Sequence, residues 1–62
     1  MAFRFLLVDT EGRDLGEQEF VTEAFRPGDT ITLAATLHLR VVAVDFEPED
    51  AELSGTLTVE QA

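Results

Sequence analysis

The sequence predicts an all-β domain, a small antiparallel barrel or sandwich of about five strands. Two observations support this fold class. Apolar residues alternate with polar ones at a period of two in several short segments, and clusters of Gly, Pro, Asp and Glu separate those segments. The chain has 62 residues. Because that length allows a single domain, residues 1–62 are expected to form one small β-barrel domain.

The first predicted element is a β-hairpin formed by residues 2–9 and about 13–20. One face of its first strand carries the apolar residues Phe3, Phe5 and Leu7. The segment between the strands, Asp9-Thr10-Glu11-Gly12, is typical of a type I turn followed by a glycine bulge. Aspartate is favoured at the first turn position, and glycine supplies the positive φ that follows. The N-terminal apolar run is therefore interpreted as a strand and not as a signal peptide.

The segment from Glu17 to Phe25 allows two interpretations. Its apolar residues fit a helical stripe, but a strand through Phe20 followed by an irregular link is equally compatible with them. We favour the strand and the link. The link ends in Arg26-Pro27-Gly28-Asp29, which predicts a type II turn because Pro presets φ at the second position and Gly allows positive φ at the third.

Two further strands are predicted on either side of residues 34–36, where a turn is expected although no Gly, Asn or Asp is present. The strand before it, residues 30–33, alternates with its threonines outward. The strand after it has apolar residues on both faces, with Leu37, Leu39, Val41 and Ala43 on one and Val42, Val44 and Phe46 on the other. A strand that is apolar on both faces either bends between two sheets or is covered by a second subunit. We therefore assign self-association, most simply as a homodimer, to Val42, Val44 and Phe46.

The last predicted strand spans residues 53–60, with Gly55 marking a bulge or a tight bend. Its inward positions complete the predicted core. That core comprises Phe3, Phe5, Leu7, Ile31, Leu33, Val41, Leu57 and Val59.

These segments together resemble a known group of proteins. The resemblance rests on Pro27-Gly28-Asp29-x-Ile31, on Leu39-Arg40-Val41-Val42-Ala43-Val44 and on Gly55-x-Leu57-x-Val59. They resemble segments of small uncharacterised proteins of about 60 residues from actinobacteria with GC-rich genomes. The Pro-Gly-Asp turn before a strand is also similar to SH3-like barrels, whose usual role is binding. The resemblance implies an SH3-like small barrel and supplies no activity or site residue.

The charge of the chain excludes several kinds of partner. Thirteen acidic residues stand against four arginines, and the formal net charge is −9. Nucleic-acid binding needs a basic patch, and an anionic membrane surface repels such a chain, so neither partner is expected. No cysteine is present, which excludes disulfides and zinc–thiolate sites and is compatible with a cytoplasmic location.

The sequence does not contain a catalytic motif. Its only histidine, His38, and its only serine, Ser54, occupy strand positions, and no phosphate-binding glycine loop is present. We predict no enzyme activity, no cofactor and no catalytic or metal-ligating residue. The segment Asp9–Asp14 only superficially resembles a calcium loop, because its glycine comes fourth and Arg13 adds a repelling charge.

One cluster of charges is a candidate binding surface. The loop after residue 44 carries five carboxylates without a basic neighbour, those of Asp45, Glu47, Glu49, Asp50 and Glu52. A basic protein surface is their natural complement. The predicted function is accordingly a noncatalytic protein-interaction or structural module that binds another protein or itself. The alternative is a small-ligand or cation-binding protein that uses the acidic loops.

Overall fold

The computed structural model describes residues 2–47 and 51–62, which form a single curled sheet of five strands shaped as a half-barrel. The strands are β1 (Phe3–Val8), β2 (Asp14–Phe20), β3 (Thr30–Ala34), β4 (Leu37–Asp45) and β5 (Gly55–Gln61). Their order across the sheet is β2-β1-β5-β4-β3. The predicted all-β class and the number of strands are confirmed.

The predicted antiparallel sheet is wrong at one position, since β1 pairs with β5 in parallel. The other three pairings are antiparallel. The parallel pair arises because the chain leaves β2 at one edge of the sheet and enters β3 at the other edge. Two further reversals then bring β5 beside β1 in the same direction. Turn residues identify reversals between consecutive strands, but they do not identify which strands become neighbours.

The first hairpin has the predicted turn. The Gly12 N–H donates to the Asp9 carbonyl (3.0 Å), and Gly12 adopts a φ of 85°. The side chain of Asp9 stabilises the turn further, because its Oδ1 accepts the N–H groups of Glu11 and Arg13, each at 2.9 Å. Asp at the first position and Gly at the fourth therefore determine this turn locally.

The region after β2 is the strand and link favoured above. β2 ends at Phe20, and residues 21–29 form no strand or helix. The predicted type II turn is confirmed by a φ of 99° at Gly28 and by the Asp29 N–H, which donates to the Arg26 carbonyl at 3.1 Å. The link connects the two edge strands, so it crosses the open side of the half-barrel.

The predicted turn between β3 and β4 is also present. It consists of Ala35 and Thr36, and its residues have negative φ, since positive φ occurs only at glycines in the described part of the chain. The register between β3 and β4 shifts instead, and Leu33 becomes an extra residue between the pairs Thr32–His38 and Ala34–Leu37. A β-bulge thus makes a tight connection possible without a glycine.

A second bulge, in β4, makes the two faces of this strand differ from the predicted ones. Val41 pairs with Val59 and Ala43 pairs with Thr58, so Val42 is an extra residue. The bulge reverses the alternation: Ala43 is exposed, whereas Val44 packs against the core. Strict alternation was therefore a wrong prediction beyond Val41, because a bulge shifts every following side chain by one position.

The core occupies the concave face of the half-barrel and confirms most of the predicted residues. Its buried members are Phe5, Leu7, Ile31, Leu39, Val41, Leu57 and Val59, while Phe3 and Leu33 pack against it partly buried. Gly55 is needed for close packing, since a Cβ there would lie 2.5 Å from the Asp45 carbonyl oxygen and 3.0 Å from Cε2 of Phe5. The bulge predicted at Gly55 is not present, since neither pairing of β5 shifts register there; the glycine instead allows a close approach of backbone and ring.

Candidate functional site at the open end of the half-barrel

The two ends of the concave face are filled differently. At one end, Phe5, Phe20 and Phe25 form a cluster in which each ring contacts the other two edge-on, with centroids 4.9–6.0 Å apart. Phe25 belongs to the link that crosses the half-barrel at this end. We call this cluster the aromatic end. The crossing chain contributes the third ring and thereby closes the core on this side.

The opposite end contains an open groove, which we call the leucine end. The groove has a volume of about 380 Å³. It is lined by Leu7, Leu15, Leu33, Leu37, Leu39 and Gln61. Two of these apolar side chains remain accessible, because Leu15 is 50% exposed and Leu37 is 38% exposed. A concave apolar surface with accessible leucines makes this groove the candidate site, by its shape and chemistry.

Bulges in the two edge strands direct leucines to this groove. Leu15 is the extra residue of β2, between the pairs Leu7–Gly16 and Val8–Asp14. The backbone there is held by Gly16, with a φ of 100°, whose N–H donates to Asp14 Oδ1 at 2.7 Å. On the other edge, Leu33 is the extra residue of β3. Bulges concentrate at sheet edges and barrel rims, where they redirect side chains.

The sequence did not identify this groove. Leu33 was assigned to the core, and Leu15 lies in a strand whose pattern is mainly polar. A local signal was present at Gly16, because a glycine inside a strand often marks a bulge. The two bulges bring their leucines to the same end of the sheet because of how β2 and β3 pair with their neighbours. Residues near each bulge do not reveal those pairings.

The rim of the groove is acidic on the side of the first hairpin. Asp9, Glu11 and Asp14 lie in or beside its turn, and Arg13 is the only basic residue among them. Arg13 is bound by Asp9 (2.8 Å) and by Glu11 (2.9 Å). The pKa of Asp9 is lowered from its ordinary value of 3.8. The main cause is that its carboxylate accepts the backbone N–H of Arg13; the N–H of Glu11 adds to this, and desolvation opposes it without cancelling it. The carboxylate of Asp9 therefore stays ionised at neutral pH.

The predicted acidic surface is described only in part. Asp45 ends β4 and accepts the N–H of Glu47 at 2.9 Å, and both residues are exposed. Glu49 and Asp50 lie outside the described residues. The hydrogen bond that Arg4 donates to Glu19 (2.7 Å) is the main cause that raises the pKa of Arg4. Glu52 lies close enough to Arg4 to raise this pKa by a smaller amount. The structure thus places part of the cluster beside the acidic edge formed by β2.

The residues assigned to self-association do not form one face. Val44 packs against the core, whereas Val42 is 41% exposed on the strand and Phe46 is 55% exposed after its end. The bulge at Val42 separates Val44 from the other two. The exposed members Val42 and Phe46 remain available for contacts, but the three residues do not share a surface.

The residues considered for catalysis lie apart. His38 is exposed on β4, and its Nδ1 lies 3.1 Å from the Thr32 hydroxyl. Ser54 precedes β5, and its N–H donates to the Arg4 carbonyl at 2.7 Å. Among residues 2–47 and 51–62, no three His, Cys, Asp or Glu side chains converge as metal ligands.

Comparison with known proteins yields no match among family models, curated proteins or solved structures. The resemblance to actinobacterial proteins and to SH3-like barrels therefore stays a prediction. The described residues contain no helix long and apolar enough to cross a membrane.

Proposed function

We propose that the protein is a noncatalytic protein-interaction module whose docking surface is the leucine end. Its occupant is an extended segment of another protein that carries apolar side chains flanked by Arg or Lys. The observation that supports this most is the pair of bulges at Leu15 and Leu33, which direct leucines from both edge strands to one groove. Neither leucine is among the fully buried core residues: Leu15 is 50% exposed, and Leu33 packs against the core only partly buried.

The chemistry of the occupant follows from the groove and its rim. Leucine side chains favour apolar groups, because burial of apolar area is the main favourable contribution to association. The acidic rim formed by Asp9, Glu11 and Asp14 favours basic flanking residues. A net charge of −9 would also attract such a segment from a distance.

The acidic loop has a supporting role in this proposal. Asp45, Glu47, Glu49, Asp50 and Glu52 steer a basic partner toward the domain, and the groove provides the contact that holds it. Interactions of this type raise the association rate more than the final affinity. The resemblance to SH3-like barrels and the cytoplasmic location, both predicted from the sequence, form part of the same proposal.

The test uses three synthetic peptides of equal length and methyl NMR of the protein. One peptide alternates Leu with Arg, the second Leu with Glu, and the third Ser with Arg. We expect the Leu–Arg peptide to shift the methyl resonances of Leu15, Leu33 and Leu37, and the other two to leave them unchanged. Raising salt from 0.1 M to 1 M shortens the Debye length from about 10 Å to about 3 Å and should slow binding.

Two variants and a control locate the contact. Leu15→Ser and Leu37→Ser remove apolar surface from the groove and should weaken binding of the Leu–Arg peptide. Val21→Ser is the matched control, since Val21 is 91% exposed and lies next to the aromatic end. Binding that survives both groove variants, or that is equally reduced by Val21→Ser, would contradict the proposed site.

A further inference from the structure

The two edges of the sheet differ in how they are protected against pairing with another strand. An edge strand presents unpaired N–H and C=O groups, and charged side chains are a common protection. β2 carries Asp14, Glu17 and Glu19, of which the two glutamates bind Arg4. The acidic residues of this edge outnumber the one arginine bound to them, so the edge disfavours pairing with another acidic chain.

The opposite edge, β3, has no charged residue. Its sequence is Thr-Ile-Thr-Leu-Ala, in which Ile31 is buried and both threonines are exposed. The Val41 N–H donates to the Asp29 carbonyl (2.7 Å), and Ile31 pairs with Leu39 in the same ladder. Since bonded pairs alternate in an antiparallel ladder, the backbone groups of Thr30 and Thr32 point away from β4.

The charge of the chain is also distributed unevenly about this edge. Residues 24–44, which contain β3 and most of β4, include one acidic residue, Asp29, and two arginines, Arg26 and Arg40. The rest of the chain contains the other twelve acidic residues and the other two arginines. Two copies of this acidic protein therefore meet the least repulsion where their β3 edges approach each other.

We propose that β3 is a homotypic pairing edge, at which a second copy of the chain adds its own β3 in antiparallel orientation. The two-fold axis passes beside Ile31, so that Thr30 of each copy exchanges backbone hydrogen bonds with Thr32 of the other. A contact of this kind is self-complementary, as a two-fold interface must be. The bulge at Leu33 ends the regular edge and limits the pairing to these residues.

This inference goes beyond the proposed function, because it uses backbone groups of an edge and a second copy of the chain. The acidic edge β2 lies at the other side of the sheet and stays on the outside of the pair. Since residual repulsion between the copies is electrostatic, added salt should strengthen the pairing. Salt has the opposite effect on capture of a basic segment, so the two proposals fail independently.

The test is sedimentation equilibrium of the intact chain over a wide concentration range, at low and high salt. We expect the average mass to rise from monomer to dimer with concentration, and to rise earlier at high salt. Thr32→Pro removes an outward N–H without removing a backbone hydrogen bond to β4, because proline is tolerated on an edge at such a position. It should raise the dissociation constant about tenfold or more. It also removes the Thr32 hydroxyl that lies 3.1 Å from His38 Nδ1, and Thr32→Val, which removes the hydroxyl but keeps the N–H, should dimerise like the unchanged chain.

The control on the other edge is Glu19→Pro. Glu19 pairs with Arg4, whose carbonyl accepts the Ser54 N–H on its other side, so the backbone groups of Glu19 also point outward. This variant removes an outward N–H of β2 together with the bond of Glu19 to Arg4. It should dimerise like the unchanged chain.

Hydrogen exchange provides a second measurement that needs no variant: the amides of Thr30 and Thr32 should exchange more slowly as concentration rises, and those of Glu17 and Glu19 should not. A monomer at all concentrations and salts overturns the proposal. A dimer that is lost in Val42→Ser or Phe46→Ser, but retained in Thr32→Pro, also overturns it.

Discussion

The aromatic end and the leucine end are built on the same sheet, yet one is closed and the other is open. The difference comes from the link between β2 and β3. Because β2 ends at Phe20, the chain crosses the half-barrel there, and Phe25 packs on Phe5 and Phe20. At the other end of the described sheet, Leu15 and Leu37 stay partly exposed. In a sheet of this size, the place where the chain crosses decides which end belongs to the core and which is available for binding.

The largest expected effect is at the aromatic end. Phe5→Ala removes a fully buried ring that contacts two others, and it should destabilise the fold by roughly 3–5 kcal/mol. In a domain of 62 residues that loss should abolish most cooperative unfolding. Thermal unfolding followed by circular dichroism measures it. A melting curve like that of the unchanged chain would show that the ring cluster does not hold the core.

The next effect concerns the packing of Phe5 against β5. Gly55→Ala places a Cβ against the Asp45 carbonyl and the Phe5 ring, so the backbone has to move. Overpacking of this kind costs about 1–3 kcal/mol. Urea unfolding measures the change, and Thr58→Ala on the same strand is the control. Equal midpoints for the two variants would mean that the approach at Gly55 is not tight.

A smaller effect is expected where the link contributes to the core. Phe25→Leu keeps an apolar side chain but removes the edge-on ring contacts, which should cost roughly 0.5–1.5 kcal/mol. Hydrogen exchange should then show faster opening of residues 21–29 than of the β4–β5 ladder. Uniform acceleration of all amides would instead indicate that the link and the sheet unfold as one unit.

At the leucine end, removing an apolar side chain should lower the free energy of unfolding only slightly. Leu37→Ser alters a side chain that is already 38% exposed, and the free energy of unfolding should fall by less than about 1 kcal/mol. Urea unfolding at equal protein concentration measures it. A loss as large as that of Phe5→Ala would place Leu37 in the core and remove the contrast between the ends.

The smallest effect is a pH dependence beside the leucine end. The pKa of Asp9 is lowered in the folded state because its carboxylate accepts backbone N–H groups. The N–H of Arg13 has the largest effect. A lowered folded pKa stabilises the protein above the unfolded pKa, and this stabilisation is lost as the pH falls through the folded value. Unfolding midpoints between pH 7 and pH 2 should fall less steeply for Asp9→Asn than for the unchanged chain, and parallel curves would contradict this.

The sequence alone determined the local features of this protein. Asp9 and Gly12 specified the first turn, Pro27 and Gly28 specified the second, and alternation identified Phe5, Leu7, Leu57 and Val59 as core residues. These features depend on the backbone preferences of a few neighbouring residues, and on which side chains avoid water at a period of two. They need no knowledge of the distant chain.

The tertiary structure decided the rest. The parallel neighbours β1 and β5, the bulges at Leu15, Leu33 and Val42, and the crossing of the link at Phe25 all depend on which strands lie side by side. Apart from Gly16 beside Leu15, these bulges have no local sequence signal, because they depend on how the neighbouring strands pair. One extra residue at Val42 therefore turned Val44 toward the core, while extra residues at the two edges brought Leu15 and Leu33 to the groove.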